Sequence, residues 1–314
     1  MSEFKDFYYP SSTGKNIIHA CICIPCGEPR GIVQIAHGIT EHIGNYKSFM
    51  AFLADNGFIA VGNDHLGHGL SVTDPDDLGF FCEKNGWDHA VSDIFRLHKI
   101  VDAKFPGLPH FWFGFSMGSF LMRTCLIKYP GCCDAALICG TGHQHGAKLM
   151  AGIRLTQTLA EKKGPRYISS GVSKLVFGSY NNRIPDKKTA FDWLTRDEKS
   201  VESYISDPLC GFVPTVSLFG DMLRGIAYIT DPKNTALMDK NTPVIFMSGC
   251  EDPVGDYGKG VLNAYSSFHK AGMKEVSIRL YSGARHGLLS ELNKEEFMHN
   301  VLDYINNVIK QKEA

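Results

Sequence analysis

Residues 114–118 read Gly-Phe-Ser-Met-Gly, with the run HFWFGF leading in and the apolar stretch MGSFLMRTCLIKY leading out. A serine with glycines two residues away on either side fits the G-x-S-x-G elbow, where a sharp strand-to-helix turn lifts the hydroxyl clear of a sheet. Side chains at 114 and 118 would collide with neighbouring backbone in such a turn. The turn also aims the first amides of the following helix at the same spot. A tight turn of small residues would read the same way. Ser116 becomes a nucleophile only if the chain supplies partners, because a serine hydroxyl near neutral pH needs an adjacent base.

The chain has thirteen histidines, and the elbow's order of serine, then acid, then histidine leaves His143, His145, His269, His286 and His299. His269 and His299 fall in helical patterns, where a solvated face is the simpler reading. His143 and His145, in GTGHQHG, precede every plausible acid outside the middle of the chain. His286 remains, in YSGARHGLLS, a glycine-containing loop just past a strand-like run. For the acid, VIFMSGCEDPVGDYG offers Glu251, Asp252 and Asp256. Asp256 reads as the N-cap of the next helix, and Glu251 would hold an imidazole less rigidly. Asp252 is therefore expected to orient His286 and to stabilise its imidazolium.

The remaining part is a site for the developing oxyanion. One donor is expected from the amide of Met117, and a second from the loop after an earlier strand. In IAHGITEHIGNY, Gly38 lets backbone approach a reacting carbonyl, which makes the Ile39 amide the second candidate. His37 reads as a loop histidine bonded locally.

Elements that could carry these loops are visible. FKDFYYPS and IIHACICIP form two β-rich stretches around STGKN. Strand and helix patterns then alternate: GIVQIA, YKSFMAFLADNG ending at Gly57, FIAVGND, the long helix 87–105, HFWFGF, the helix after Ser116, and DAALICG. Such alternation requires crossovers and a mostly parallel sheet covered on both faces. The rhythm breaks after Gly142 and resumes with PVIFMSG, a helix, EVSIRLYSG and a last helix. An α/β core of residues 1–142 and 238–314, interrupted by a helical insertion at 143–237, is the expected organisation. In open parallel sheets ligands sit beyond the carboxyl ends of the strands, which is where Ser116, Asp252 and His286 fall.

Composition narrows the function classes. The 314 residues are 44% hydrophobic and 21% charged with a net charge of −1, so there is no basic footprint for nucleic acid. The start, MSEFKDFYYP, has no secretory pattern, and no apolar run approaches a bilayer span. Of the ten cysteines, Cys21, Cys23 and Cys139 sit in strand patterns and Cys125 in a helix, as small hydrophobes. Cys21, Cys23 and Cys26 lack zinc-site spacing. The reading is a cytoplasmic protein without metal or organic cofactor.

With these residues in hand, the chain resembles the monoacylglycerol lipase and lysophospholipase branch of the α/β-hydrolases. HGITEHIGNY, NDHLGHGLS, GFSMGS and the pair GCEDPVG with ARHG carry the resemblance, in family order from residue 37 to 287. DWLTRDEKSVESYISDPLCGF is similar to part of the family's helical cap. The resemblance implies Ser116 as nucleophile, Asp252 as acid, His286 as base, and Ile39 and Met117 as oxyanion donors. It implies a bracing role for Asp64, His65 and His68. Gly287 departs from the acidic residue expected after the base. The implied activity is hydrolysis of monoacylglycerols, lysolipids or similar acyl esters through an acyl-enzyme. Amide or peptide hydrolysis, acyl transfer and a non-catalytic binding role are the alternatives. The cap's apolar faces leave transient contact with a membrane or micelle open.

Overall fold

The computed structural model describes residues 2–313. Its strands are β1 (Glu3–Pro10), β2 (Ile17–Ile24), β3 (Gly31–Ala36), β4 (Phe58–Asn63), β5 (His110–Phe115), β6 (Ala135–Cys139), β7 (Val244–Gly249) and β8 (Val276–Tyr281). They form one sheet in the order β1-β2-β4-β3-β5-β6-β7-β8. The β1–β2 and β2–β4 pairings are antiparallel and the remaining ladders are parallel. β3 to β7 are buried along nearly their whole length, which is why they read as continuous apolar runs rather than as alternating patterns.

Side-chain alternation divides the core into two layers. Phe111 and Phe113 of β5, with Val33 and Ile35 of β3, pack beneath α1 (Lys47–Asp55) and α10 (Lys294–Glu313). Trp112, Ile32 and Ile138 point the other way, to α2 (Gly86–Lys104), α3 (Met117–Lys128) and α9 (Lys259–Lys270). Phe49 and Leu53 of α1 are buried while Phe52 is only partly so, and Gly57 closes the helix at φ +87°. Between β6 and β7 the chain leaves the sheet for α4 (Ala147–Lys163), α5 (Ser170–Phe177), α6 (Glu198–Ser206), α7 (Val216–Thr230) and α8 (Pro232–Thr235). No helix among the described residues is long and apolar enough to cross a membrane.

Register decides which loops meet. Ala36 pairs with Gly114, so the loop leaving β3 at His37-Gly38 lies beside the turn leaving β5 at Ser116. The glycines make this approach possible. A Cβ on Gly118 would stand 2.6 Å from the His37 carbonyl oxygen and closer still to the Ala36 carbonyl. One on Gly114 would stand 2.6 Å from the Gly118 carbonyl oxygen. Since both obstacles at Gly118 are backbone, neither can turn aside. Gly118→Ala is expected to lower unfolding stability by about 1–3 kcal/mol, the usual cost of overpacking, as read from the urea midpoint. An unchanged midpoint would show that the two loops have room to separate.

Candidate active site

Ser116 is the hinge between β5 and α3, with φ +54° and ψ −122°, a left-handed conformation that costs a non-glycine residue energy. Hydrogen bonds on both sides hold it there. Its amide donates to the Cys139 carbonyl at 3.0 Å, and its carbonyl accepts from the Ser119 amide at 2.9 Å and the Ser119 hydroxyl at 2.5 Å. The side chain lines a cavity of about 420 Å³.

His286 lies in the loop after β8 and Asp252 in the loop after β7, both essentially buried. The imidazole Nδ1 donates to Asp252 Oδ1 at 2.9 Å. Asp252 is fixed in turn by the Val254 amide on Oδ1 at 2.8 Å and the Ser248 hydroxyl on Oδ2 at 3.1 Å. With Nδ1 as the donor, the neutral ring keeps a lone pair at Nε2. Nε2 has no hydrogen-bond partner among the described residues, and the ring lines the same cavity as Ser116. A base in this state can take a proton from a hydroxyl in that cavity. The ring is packed between Phe115, with centroids 4.7 Å apart, and Trp193, 5.1 Å apart.

Ile39 lies on the loop beside Ser116, and Met117 is the first residue of α3. Neither amide has an acceptor among the described residues. The ends of the β3 loop are held. The Gly38 amide donates to Glu41 Oε1, which also accepts from the Tyr46 hydroxyl at 2.7 Å. Burial raises the Glu41 carboxyl above the usual range despite these two donors. Below the loop, Asp64 accepts from the amides of Ile43 and Leu70 and from His19 Nδ1, each at 2.8 Å.

Most residues that shape the site wall come from the insertion: Trp193, Leu194 and Phe212 lie in the stretch DWLTRDEKSVESYISDPLCGF, while Phe177, Phe191 and Val213 carried no sequence signal of their own. Phe177, Phe191, Trp193, Leu194, Phe212 and Val213 supply apolar wall to the cavity. The Gly287 amide donates to the Leu194 carbonyl at 2.6 Å, and a Cβ at 287 would press on that carbonyl at 3.2 Å. A glycine at 287 thus leaves room for the Leu194 carbonyl beside the His286 loop. Buried Glu291 accepts from the Arg285 amide at 2.8 Å and from Arg196 Nε at 2.7 Å, joining the base loop to the insertion. Asp256, expected to cap α9, does not. It takes φ +48°, and Gly258 occupies the N-cap with no side-chain bond. Positive φ at Asp256, Tyr257 and Gly258 moves the cap two residues on, and it is the Asp256 carbonyl, not its side chain, that accepts from the Lys259 amide at 3.1 Å.

The family described as serine aminopeptidase, S33, matches residues 27–293. The chain belongs to that family. It is a serine hydrolase with the α/β-hydrolase fold, and its relatives include lipases and esterases. It is 25% identical to the monoglyceride lipase of Homo sapiens over 92% of this chain and 86% of the relative. It is 24% identical to the monoacylglycerol lipase of Mycolicibacterium smegmatis over 90% of each chain. Among solved structures, a thermostable carboxyl esterase from Bacillus coagulans in complex with glycerol superposes with a TM-score of 0.91 at 26% identity, covering 98% of this chain and 100% of that one.

Among the described residues of this serine hydrolase, His42, Asp207 and Cys210 are the one group whose ligand atoms lie close together. His42 Nδ1 accepts from the Gly44 amide, so Nε2 carries the proton that it donates to Asp207 at 2.9 Å. Neither nitrogen has a free lone pair, and burial raises the Cys210 thiol far above the thiolate range. The trio is a hydrogen-bonded link.

Under the β3 loop, His37, His65 and His68 form a buried cluster with ring centroids 4.0–6.2 Å apart. His37 Nδ1 donates to the Gly38 carbonyl at 2.7 Å while its Nε2 accepts from the His65 amide at 3.0 Å, which requires a neutral ring. Burial, and then the neighbouring imidazoles, lower His65 to about 3 and hold His37 well below its usual range. Burial lowers His68 to about 4. Unfolded, each ring would take up a proton near pH 6.5; folded, it resists. Stability is therefore whole above pH 6.5 and falls as pH drops below it, by up to about 1.4 kcal/mol per pH unit for each histidine. The urea midpoint is expected to fall steeply between pH 6.5 and 5. A flat profile across that window would contradict the neutral cluster.

Proposed function

We propose that this hydrolase cleaves fatty-acyl esters through an acyl-enzyme, with monoacylglycerols and lysolipids as its substrate class. Ser116 attacks the ester carbonyl as His286 takes its proton, and Asp252 steadies the imidazolium. The amides of Ile39 and Met117 receive the oxyanion. His286 protonates the departing alcohol, then activates the water that releases the acid. The observation carrying this reading is the buried His286–Asp252 bond, on a ring that shares the apolar cavity with Ser116. The relatives named as monoglyceride lipases support it, as does the esterase described in complex with glycerol.

Residues 143–237 are the cap on this reading, and they carry most of the acyl-binding wall. The exposure of Ile168, Leu175 and Val213 supports transient contact of the cap with a membrane or micelle. The free, buried thiols of Cys21, Cys23, Cys125 and Cys139 support a cytoplasmic setting.

The family's name makes peptide hydrolysis the competing reaction. An aminopeptidase needs an anion facing the substrate's ammonium. Among the described residues Glu41 is the only acid lining the cavity, and burial disfavours its charge. Esters are therefore favoured over aminoacyl substrates.

Two measurements test this. Ser116→Ala and His286→Ala are each expected to lower kcat for p-nitrophenyl esters by about 10⁴-fold or more while the fold survives, and Ser116→Ala to abolish labelling by a fluorophosphonate. Parent-like turnover in either variant would refute the mechanism. Turnover of aminoacyl anilides above that of monoacylglycerols would refute the substrate class.

A further inference from the structure

The amide of Ile39 belongs to a peptide unit flanked by two anchored groups of different origin. On one side the Gly38 amide is held from within the core, by Glu41. On the other, Thr40 takes φ +58°, an outlier for a β-branched residue that needs outside support. The insertion supplies that support. The Thr40 carbonyl accepts from the Tyr204 hydroxyl and from the Gly211 amide, both at 2.9 Å. Because the tyrosine proton is used in that bond, the Thr40 hydroxyl donates back to Tyr204 at 2.8 Å. Farther along, His42 donates to Asp207 at 2.9 Å, at the end of the helix that carries Tyr204. The segment 204–211 thus grips residues 40–42 at several points, all across the boundary between core and insertion.

We propose that Tyr204 is a positioning residue for the oxyanion donor Ile39, so that the helical insertion completes the catalytic apparatus as well as enclosing the acyl chain. This rests on the reading of Ile39 as a donor. Without the Tyr204 hydroxyl, Thr40 can relax from its left-handed conformation and turn the adjoining peptide away from the reacting carbonyl. The loss belongs to the transition state, when negative charge gathers on the carbonyl oxygen, rather than to substrate binding.

The test compares p-nitrophenyl butyrate with its thionoester, in which sulfur replaces the carbonyl oxygen. The longer C=S bond and poorer acceptor benefit little from amides placed for oxygen, so the oxygen-to-sulfur ratio of kcat/KM reports the donors themselves. In Tyr204→Phe this ratio is expected to fall on the order of tenfold, a part of the 10²–10³ lost when a donor is deleted, with KM for the oxygen ester within about twofold. Asp207→Ala, at a residue that lines no described cavity, is expected to move the ratio the same way by a smaller factor. An equal loss on both substrates, leaving the ratio unchanged in both variants, would overturn the proposal and make Tyr204 a wall or a strut. A wild-type enzyme with no preference for oxygen would overturn the oxyanion reading along with it.

Discussion

The site depends on one constraint: Ser116 must sit in a backbone conformation that serine disfavours, at a place where two strand ends nearly touch. At φ +54° the turn is compact enough to begin a helix directly after β5, which puts α3's first amides beside the serine hydroxyl. That compactness works only if nothing projects from positions 114 and 118, because the carbonyls of Ala36 and His37 occupy the space at 118 and the Gly118 carbonyl occupies it at 114. The strain is local, and the surroundings over-determine it through the Cys139 ladder bond and the two bonds to the Ser116 carbonyl. The Ala36–Gly114 pairing then brings the other half of the site, the β3 loop, into range with no further device.

Around this point the protein uses polarity sparingly. The histidines beneath the β3 loop are kept neutral by burial and by each other, and they act as shaped hydrogen-bonding spacers. Asp64 gathers two amides and His19. Arg123, fully buried in α3, has no carboxylate beside it among the described residues; it donates to the Gly142 carbonyl at 2.8 Å and the Thr141 hydroxyl at 3.2 Å, and burial lowers it to about 9. The imidazoles hold their loops as neutral groups, and the charges of Asp64 and Arg123 are kept out of the wall of the cavity that Ser116 lines.

Much of this was legible from the sequence where the cause is local. HFWFGF reads as a strand because both faces are covered, and the glycines around Ser116 report a steric limit within five residues. Ser116, Asp252 and His286 stand out as candidates because each follows a strand-like run in a fixed order. The long-range contacts were not legible. Glu291 meets Arg196 across 95 positions and Tyr204 meets Thr40 across 164, with no periodicity to announce either pairing. Asp256 misled because an aspartate before a helix satisfies a composition rule while its φ of +48° breaks the geometry behind that rule. Gly287 was visible as a departure, but its meaning, room for the Leu194 carbonyl, needed the partner strand of chain.

The close seat of Trp193 and Leu194 on the base loop has a consequence for how such an enzyme can diversify. An insertion that merely roofed a pocket could drift, lengthen or be exchanged, each change altering only which molecules fit. Here the insertion and the candidate centre share struts: the ring of Trp193 flanks His286, and the Leu194 carbonyl takes the next amide. New specificities must therefore arise away from those struts, around α5, where Lys174 and Phe177 line the cavity and the wall can be remodelled while Ser116 and His286 stay in alignment.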